Sequence, residues 1–395
     1  MHRKNFFFSV FFLSVILTSS VSVKSSGDLI PLALLDNNSL IDIGWHLKQI
    51  NITKAWELTM GDPSITVAVI DTGIDFTHHE IKHAKWINTD EIPNNGKDND
   101  NNGFVDDIDG WDFTSNDNNP GMEPTDPIHW HATVIAGVIA AEIDNEGIAG
   151  VAPNVTIMDL RVLDKDGYQA TPALGGAIYY AVNNGADVIN LSLQYYSNSS
   201  FLYKEIRYAY EHNVPIVSIS GNIDVSQGGG SEIPSFPGAY NEVITVGATN
   251  YYYKKADYSN YGRWVDIVAP VGDEAFDSLT HVIRSTIPFD NYGYGVGTSF
   301  AAPQVSAVIA LMKSVNPTLT IEQIKSILYS TAIDIGEPGK DKYFGYGLLN
   351  AAAAVEKAKE MLQQQSKTNV SLWISVTTLF LVSCILIKKK VKYRL

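Results

Sequence analysis

The sequence predicts an α/β fold of three layers, a mostly parallel central sheet with helices on both faces. Three observations carry this expectation. Short runs that are apolar and β-branched throughout recur along the chain, such as Ile65 to Ile70 (ITVAVI); a strand covered on one face only would alternate instead. Runs of helical length stand between them, so the order is strand, helix, strand. The chain has 395 residues, 45% hydrophobic and 18% charged, enough to bury both faces of such a sheet.

Taken in order, residues 1–24 combine a basic start (Arg3, Lys4), an apolar core from Phe6 to Leu17 and small polar residues, the pattern of a secretory signal peptide. Residues 25–44 form an N-terminal arm without strong periodicity, and Trp45 to Leu58 reads as an entry segment with a short helix. The run Ile65 to Ile70 is the first buried strand and ends in Asp71-Thr72-Gly73. A polar residue at the carboxyl end of a buried parallel strand marks a place for chemistry, or it caps the turn.

Residues 88–120 are a polar Asn/Asp/Gly insertion. Counting from Asp98, oxygen side chains fall at positions 1, 3 and 5, glycine at 6, Asp106 at 9 and Asp109 at 12. That spacing predicts a calcium loop with ligands Asp98, Asp100, Asn102, the Phe104 carbonyl, Asp106 and Asp109. Its flanks are not helical, so the loop stands outside the helix–loop–helix fold. A solvated acidic loop is the alternative, although crowded carboxylates repel one another without a cation.

His129 and His131 are two residues apart and do not share a helix face, which disfavours a metal pair. Val134 to Ala141 then reads as a tightly packed helix. Val151 to Val162, Asp187 to Leu193, Val214 to Ser218 and Val243 to Val246 are further strands, with helices over Ala173 to Asn184 and Phe201 to Asn213. Ser299 follows a Gly/Tyr-rich approach (Tyr292 to Gly297) and opens a long apolar run carrying Pro303 near its start. Proline is tolerated in a first helical turn. A serine there is an N-cap, or a nucleophile beside unpaired N–H groups and the positive end of the helix dipole.

The domain expected over residues 45–360 is followed by a linker (361–369) and an uncharged run, Val370 to Ile387, about 27 Å long as a helix. Lys388, Lys389, Lys390, Lys392 and Arg394 come next, within the tail 388–395. A basic flank after an apolar span stays cytoplasmic, which predicts a C-terminal membrane helix with the body outside and a single-pass topology in the cell membrane. The one cysteine, Cys384, excludes an intrachain disulfide, and no paired Cys/His zinc pattern occurs. A net charge of −15 argues against a nucleic-acid partner.

Asp71, His131 and Ser299 each stand at an element edge. A hydroxyl near neutral pH needs a general base, histidine supplies one, and a carboxylate fixes its tautomer. Chain order Asp, His, Ser is one known solution. At this point the chain resembles the subtilisin-like serine peptidases, or subtilases, from about Trp45 to about Val355. Val67-Ala-Val-Ile-Asp-Thr-Gly-Ile-Asp75, His131-Ala-Thr-Val-Ile-Ala-Gly137 and Gly297-Thr-Ser-Phe-Ala-Ala-Pro303 are similar to that family's three catalytic motifs. Gly150-Val-Ala-Pro153, Gly185 to Ser192, Ser259 to Gly262 and Gly345-Tyr-Gly347 follow in the family's order.

The resemblance implies a subtilisin-like fold and endopeptide hydrolysis through an acyl-enzyme, with an extended peptide as substrate. It implies Asn222 as oxyanion donor, in Gly221-Asn222. It implies substrate contacts at Gly221 and along Ser192-Leu193-Gln194, with Lys165 to Gln169 as the opposite edge. Three departures stand out. The histidine motif lacks its usual second histidine, Val134 taking that place; Gln194 stands where glycine is usual; and Ser220 replaces a common alanine. A side chain at 194 should narrow the pocket for the residue before the scissile bond. The roughly 20 residues between signal and Trp45 are too few for the family's pro-domain. Asp144-Asn-Glu146 falls where some subtilases carry another calcium loop. A catalytically silent binding module of the same fold is the alternative; a metallohydrolase on Asp71 and His131 lacks a third ligand.

Overall fold

The computed structural model describes residues 43–125, 130–144, 146–163, 171–223, 229–273, 278–365 and 367. At its centre lie seven strands: β1 (Thr66–Asp71), β2 (Gly110–Asp112), β3 (Thr156–Arg161), β4 (Val188–Leu191), β5 (Ile216–Ile219), β6 (Ile244–Thr249) and β7 (Ile267–Pro270). In space they run β2-β3-β1-β4-β5-β6-β7, and every neighbouring pair is parallel. The helices are α1 (Trp45–Gln49), α2 (Ile52–Trp56), α3 (His131–Ala140), α4 (Thr171–Asn183), α5 (Ser200–Glu211), α6 (Ala302–Val315) and α7 (Ile321–Thr331). This is the three-layer arrangement that the sequence predicts.

Strand parity decides which layer each side chain enters, because successive residues point to opposite faces. In β1, Val67 and Val69 pack with α3 and α6, while Ala68 and Ile70 pack with α4 and α5. Asp71 shares the parity of Val67 and Val69 and so belongs to the α3 side. β1 is first in the chain yet lies inside the sheet; the chain leaves it toward β3 and returns to its other edge at β4. Ligands of open parallel sheets bind beyond the carboxyl ends at such a reversal. Asp71 ends β1, and Ser192 follows the end of β4.

α6 runs through the core, buried from Ala302 to Lys313. α3 is buried along its whole length, as expected of a helix apolar on all sides. Its outer side is covered by an antiparallel hairpin, β8 (Ile283–Ile287) and β9 (Asn291–Gly295). Ser285 Oγ donates to the Val134 carbonyl at 2.8 Å and Thr286 Oγ1 to that of Thr133 at 2.7 Å. Gly137 makes this approach possible, since a Cβ there would lie 2.2 Å from Thr286 Oγ1.

The structure departs from the sequence expectation in several places. β2 lies within the expected insertion, and β7 and the hairpin are additional. β2 is three residues long and β7 ends in Pro270 on the sheet edge, where proline removes no ladder bond. Neither length supports a periodicity. The helix over residues 351–365 runs into the expected linker.

The expected C-terminal membrane tether, with its single-pass topology, does not stand: no helix among the described residues is long and apolar enough to cross a membrane. The last described helix has an apolar side already covered by protein, through Ala354, Val355 and Ala358, and carries Glu356, Lys357, Lys359 and Glu360. Val370 to Ile387 lies outside the described residues, as do the signal segment, the arm up to residue 42, the tail 388–395, His129, Asn145 and Lys165 to Gln169.

Candidate active site

Asp71 and His131 meet at the carboxyl edge of the sheet. The strand parity of β1 turns Asp71 toward α3, and His131 is the first residue of that helix. His131 Nδ1 lies 2.7 Å from Asp71 Oδ1, with Asp71 fully buried and His131 nearly so. The same Oδ1 accepts the Thr72 N–H at 2.8 Å, and Thr72 Oγ1 accepts the Ala132 N–H at 3.0 Å. The residue after the aspartate thus ties down the first turn of the histidine's helix. Asp71 is an acceptor, so the facing Nδ1 carries the proton.

A second carboxyl lies below. Asp159, opposite Val69 in the register, accepts the Ile74 N–H at 2.9 Å and braces the turn after Asp71. Burial raises its pKa well above the carboxylate range, the Asp71 charge adding to the effect and the Ile74 bond opposing it. Asp159 has no counterpart in the sequence reading, because nothing in Met-Asp-Leu distinguishes a buried acid from an edge residue.

Ser299 lies in a single 3₁₀ turn, Thr298–Phe300, ahead of α6, and this turn packs against α3. The helix begins at Ala302, and its cap position is Ala301. The N-cap alternative for Ser299 is thereby removed. Its Oγ donates to the Ser192 carbonyl at 3.3 Å, and Ser192 Oγ returns a bond to the Ser299 carbonyl at 3.1 Å. The serine is joined to the end of β4 rather than to its helix.

Asn222 follows β5 and faces the same turn. Its Oδ1 accepts the Thr298 N–H at 2.8 Å and the Thr298 hydroxyl at 2.9 Å. Since a backbone N–H only donates, these bonds fix which end of the amide is oxygen, and Nδ2 takes the opposite direction. Gly221, before it, has φ +101°, and a Cβ would lie 2.6 Å from Gln194 Oε1. Leu193 is buried in the α4/α5 layer, so its main chain alone is available at the edge. Gln194 is partly buried and turns toward Asn222.

Two groups of side chains among the described residues could hold a metal ion: Glu91, Asp98 and Asp100, and His78, His79 and Asp290, the ligand atoms of each within 4.8 Å of one another. Within the predicted loop, Asp98 and Asp100 converge, but Asp106 turns to the N–H groups of Asn95 and Gly96, both at 2.9 Å. Asp109 pairs with Lys85 at 2.6 Å. Asn102 Nδ2 bonds Asp100 and Asp107, and its Oδ1 accepts the Phe104 N–H at 2.8 Å. Glu91 joins instead: Oε1 accepts the Asn99 and Asp100 N–H groups, and Oε2 is buried without a partner. The loop spacing did not point to Glu91, which precedes the motif.

In the second group both nitrogens of His78 are engaged, Nε2 with the Asn291 carbonyl at 2.8 Å and Nδ1 with the Glu80 N–H at 3.2 Å. His79 Nδ1 pairs with Asp290 at the hairpin tip. That hydrogen bond raises the His79 pKa, and the His79 contacts lower that of Asp290. Protonated His79 contributes stability that is full below its unfolded pKa and fades as pH rises through the raised folded value. Asp290 contributes above its unfolded pKa and fades in acid. The clip is therefore strongest between the carboxylate and histidine ranges, near pH 5.5. The melting-temperature deficit of Asp290→Asn should be largest there and shrink by pH 8.5; a deficit independent of pH would remove the ion pair as its cause.

A family model described as the subtilase family matches residues 62–347. The chain is 37% identical over 302 residues to the thermophilic serine proteinase of Bacillus sp. (strain AK1), covering 76% of this chain and 64% of that one. It is 30% identical to the minor extracellular protease Epr of Bacillus subtilis (strain 168), over 81% of this chain and 44% of that protein. Subtilisin DY of Bacillus licheniformis is 31% identical over 74% of this chain and 91% of its own. The match thus spans less than two thirds of the first two relatives and most of the third.

Proposed function

We propose, since this chain belongs to the subtilase family, that it hydrolyses peptide bonds through an acyl-enzyme formed on Ser299. The family and the buried Asp71–His131 pair together identify a serine-type endopeptidase. The observation that carries our assignment of roles is the 2.7 Å contact between His131 Nδ1 and Asp71. It holds the tautomer in which Nε2 accepts the Ser299 proton during attack and later delivers it to the leaving amine. Asp71 orients the ring and stabilises the imidazolium. Asn222 Nδ2 and the Ser299 main-chain N–H are the donors for the oxyanion. An extended peptide would pair with the main chain of Ser192 to Gln194 as an added strand.

A fluorophosphonate probe tests the reading. The folded protein should be labelled on Ser299 and should cleave an unstructured protein substrate, and Ser299→Ala should do neither. Folded protein that resists the probe would instead be a silent binding module.

The Glu91, Asp98 and Asp100 group is our proposed calcium site. Its donors are all oxygen, as a hard cation requires, and the unpartnered Glu91 Oε2 leaves a ligand position open. Calcium at 100 times its dissociation constant adds about 2.7 kcal/mol, or about 4 °C for a domain of this size. Chelation should lower the melting temperature by that amount and added calcium should restore it. Glu91→Gln should abolish the response, whereas Asp106→Asn should keep it. An equal melting temperature with and without chelator would sink the site.

A further inference from the structure

Gln194 has an amide side chain where the family pattern has glycine, and that amide closes on one residue. Its Oε1 accepts the Asn222 main-chain N–H at 3.0 Å, and its Nε2 reaches the Asn222 carbonyl at 3.5 Å. Nε2 also donates to the Tyr196 hydroxyl at 3.1 Å, and that hydroxyl donates to the same Asn222 carbonyl at 3.3 Å. A primary amide that accepts from and donates to one residue reproduces the pairing of a β-ladder. Asn222 is thus held twice, by its main chain through Gln194 and Tyr196 and by its side chain through Thr298. The contact is close: a Cβ on Gly221 would lie 2.6 Å from Gln194 Oε1.

This clamp links the segment after β4 to the segment after β5. On the roles proposed above, a peptide paired with Ser192–Gln194 that presents its carbonyl to Ser299 and Asn222 passes beside the Gln194 side chain, where that side chain meets Gly221–Asn222. We infer that Gln194 is a positioning residue for Asn222 and, with Tyr196, fills the gap between these segments, so that the site takes peptides with glycine, alanine or serine before the scissile bond. The inference rests on the roles assigned above to Ser299 and Asn222. It has a second consequence. A bulky side chain enters only by displacing the amide, which strips the partners from the main chain of Asn222. Such substrates lose turnover as well as affinity, since the donor they need is then held by its side chain alone, through Thr298.

Two variants separate the two roles. Gln194→Met keeps the length of the side chain and removes its hydrogen bonds. Its kcat should fall about tenfold on every substrate, less than the loss of the donor itself, while KM and the preference for small residues persist. Gln194→Gly opens the gap, so the ratio of kcat/KM for phenylalanine over alanine should rise about tenfold or more. Peptides differing only in that residue supply the readout, and fluorophosphonate labelling reports intact Ser299 in each variant. A Gln194→Met enzyme at the wild-type kcat overturns the positioning role. A Gln194→Gly enzyme with an unchanged profile, or a wild-type enzyme that prefers phenylalanine or leucine, overturns the size limit. If wild-type Ser299 is not labelled, the underlying assignment fails as well; if it is labelled and the profiles go the wrong way, this inference fails alone.

Discussion

Turnover by the Ser299→Ala protein should fall about 10⁶-fold, the order expected when one member of an interdependent nucleophile–base unit is lost. The size follows from the arrangement of the site. Asp71 holds His131 in the tautomer that takes a proton, and without the Ser299 hydroxyl that proton has no donor. The fold should tolerate the change, because Ser299 Oγ makes one bond, to the Ser192 carbonyl, while the reverse bond from Ser192 to the Ser299 carbonyl survives. The drop should therefore come with a melting temperature close to wild type. His131→Ala should cost a similar factor, and the double variant little more than either alone. Single-turnover assays on a chromogenic peptide measure all three. Factors that multiply in the double variant would show that the two residues act separately.

Asn222→Asp should lower kcat about 100- to 1000-fold with KM little changed. This substitution is more informative than truncation. A carboxylate at 222 still accepts from the Thr298 N–H and hydroxyl, so the turn before α6 keeps its anchor. What disappears is the N–H pair proposed as the oxyanion donor, and a negative charge stands in its place. An interaction made only in the transition state lowers kcat and kcat/KM together. An equal rise in KM would instead place Asn222 in ground-state binding.

Much of this was legible in the chain. Ile65 to Ile70 was recognisable because both faces of β1 are covered, and Asp71 because it interrupts that apolar run. Chain order and their places at element edges brought out His131 and Ser299, and the resemblance to the subtilase motifs brought out Asn222. Other features depend on partners distant in sequence. Ser299 also read as a helix cap, and that reading falls because α6 starts at Ala302 with Ala301 as its cap, while Ser299 bonds to Ser192, 107 residues away. Asp106 and Asp109 satisfied the loop spacing, but the first is drawn to two backbone N–H groups and the second to Lys85. Spacing records which oxygens are near in sequence, whereas the fold decides which converge, and it brings Glu91 within 4.8 Å of Asp98 and Asp100. Gln194 was visible as an intruding side chain; its direction, toward the main chain of Asn222, was not. The apolar run near the C-terminus met the length rule for a membrane span, yet no described helix meets both length and apolarity.

The order of the sheet also bears on when the proposed site is assembled. Asp71, His131, Asn222 and Ser299 are scattered over more than two hundred residues, and the reversal at β1 means that β4 docks only after the segments carrying β2 and β3 have been made. Contacts of such high sequence separation form slowly, because loop-closure entropy is spent before any pairing repays it. The serine lies closest to the end of this sequence of events, beyond all seven strands of the sheet. A ribosome-bound or half-collapsed chain therefore holds a carboxylate and an imidazole but no nucleophile set against them. The proposed site is complete only once the turn carrying Ser299 has packed against α3.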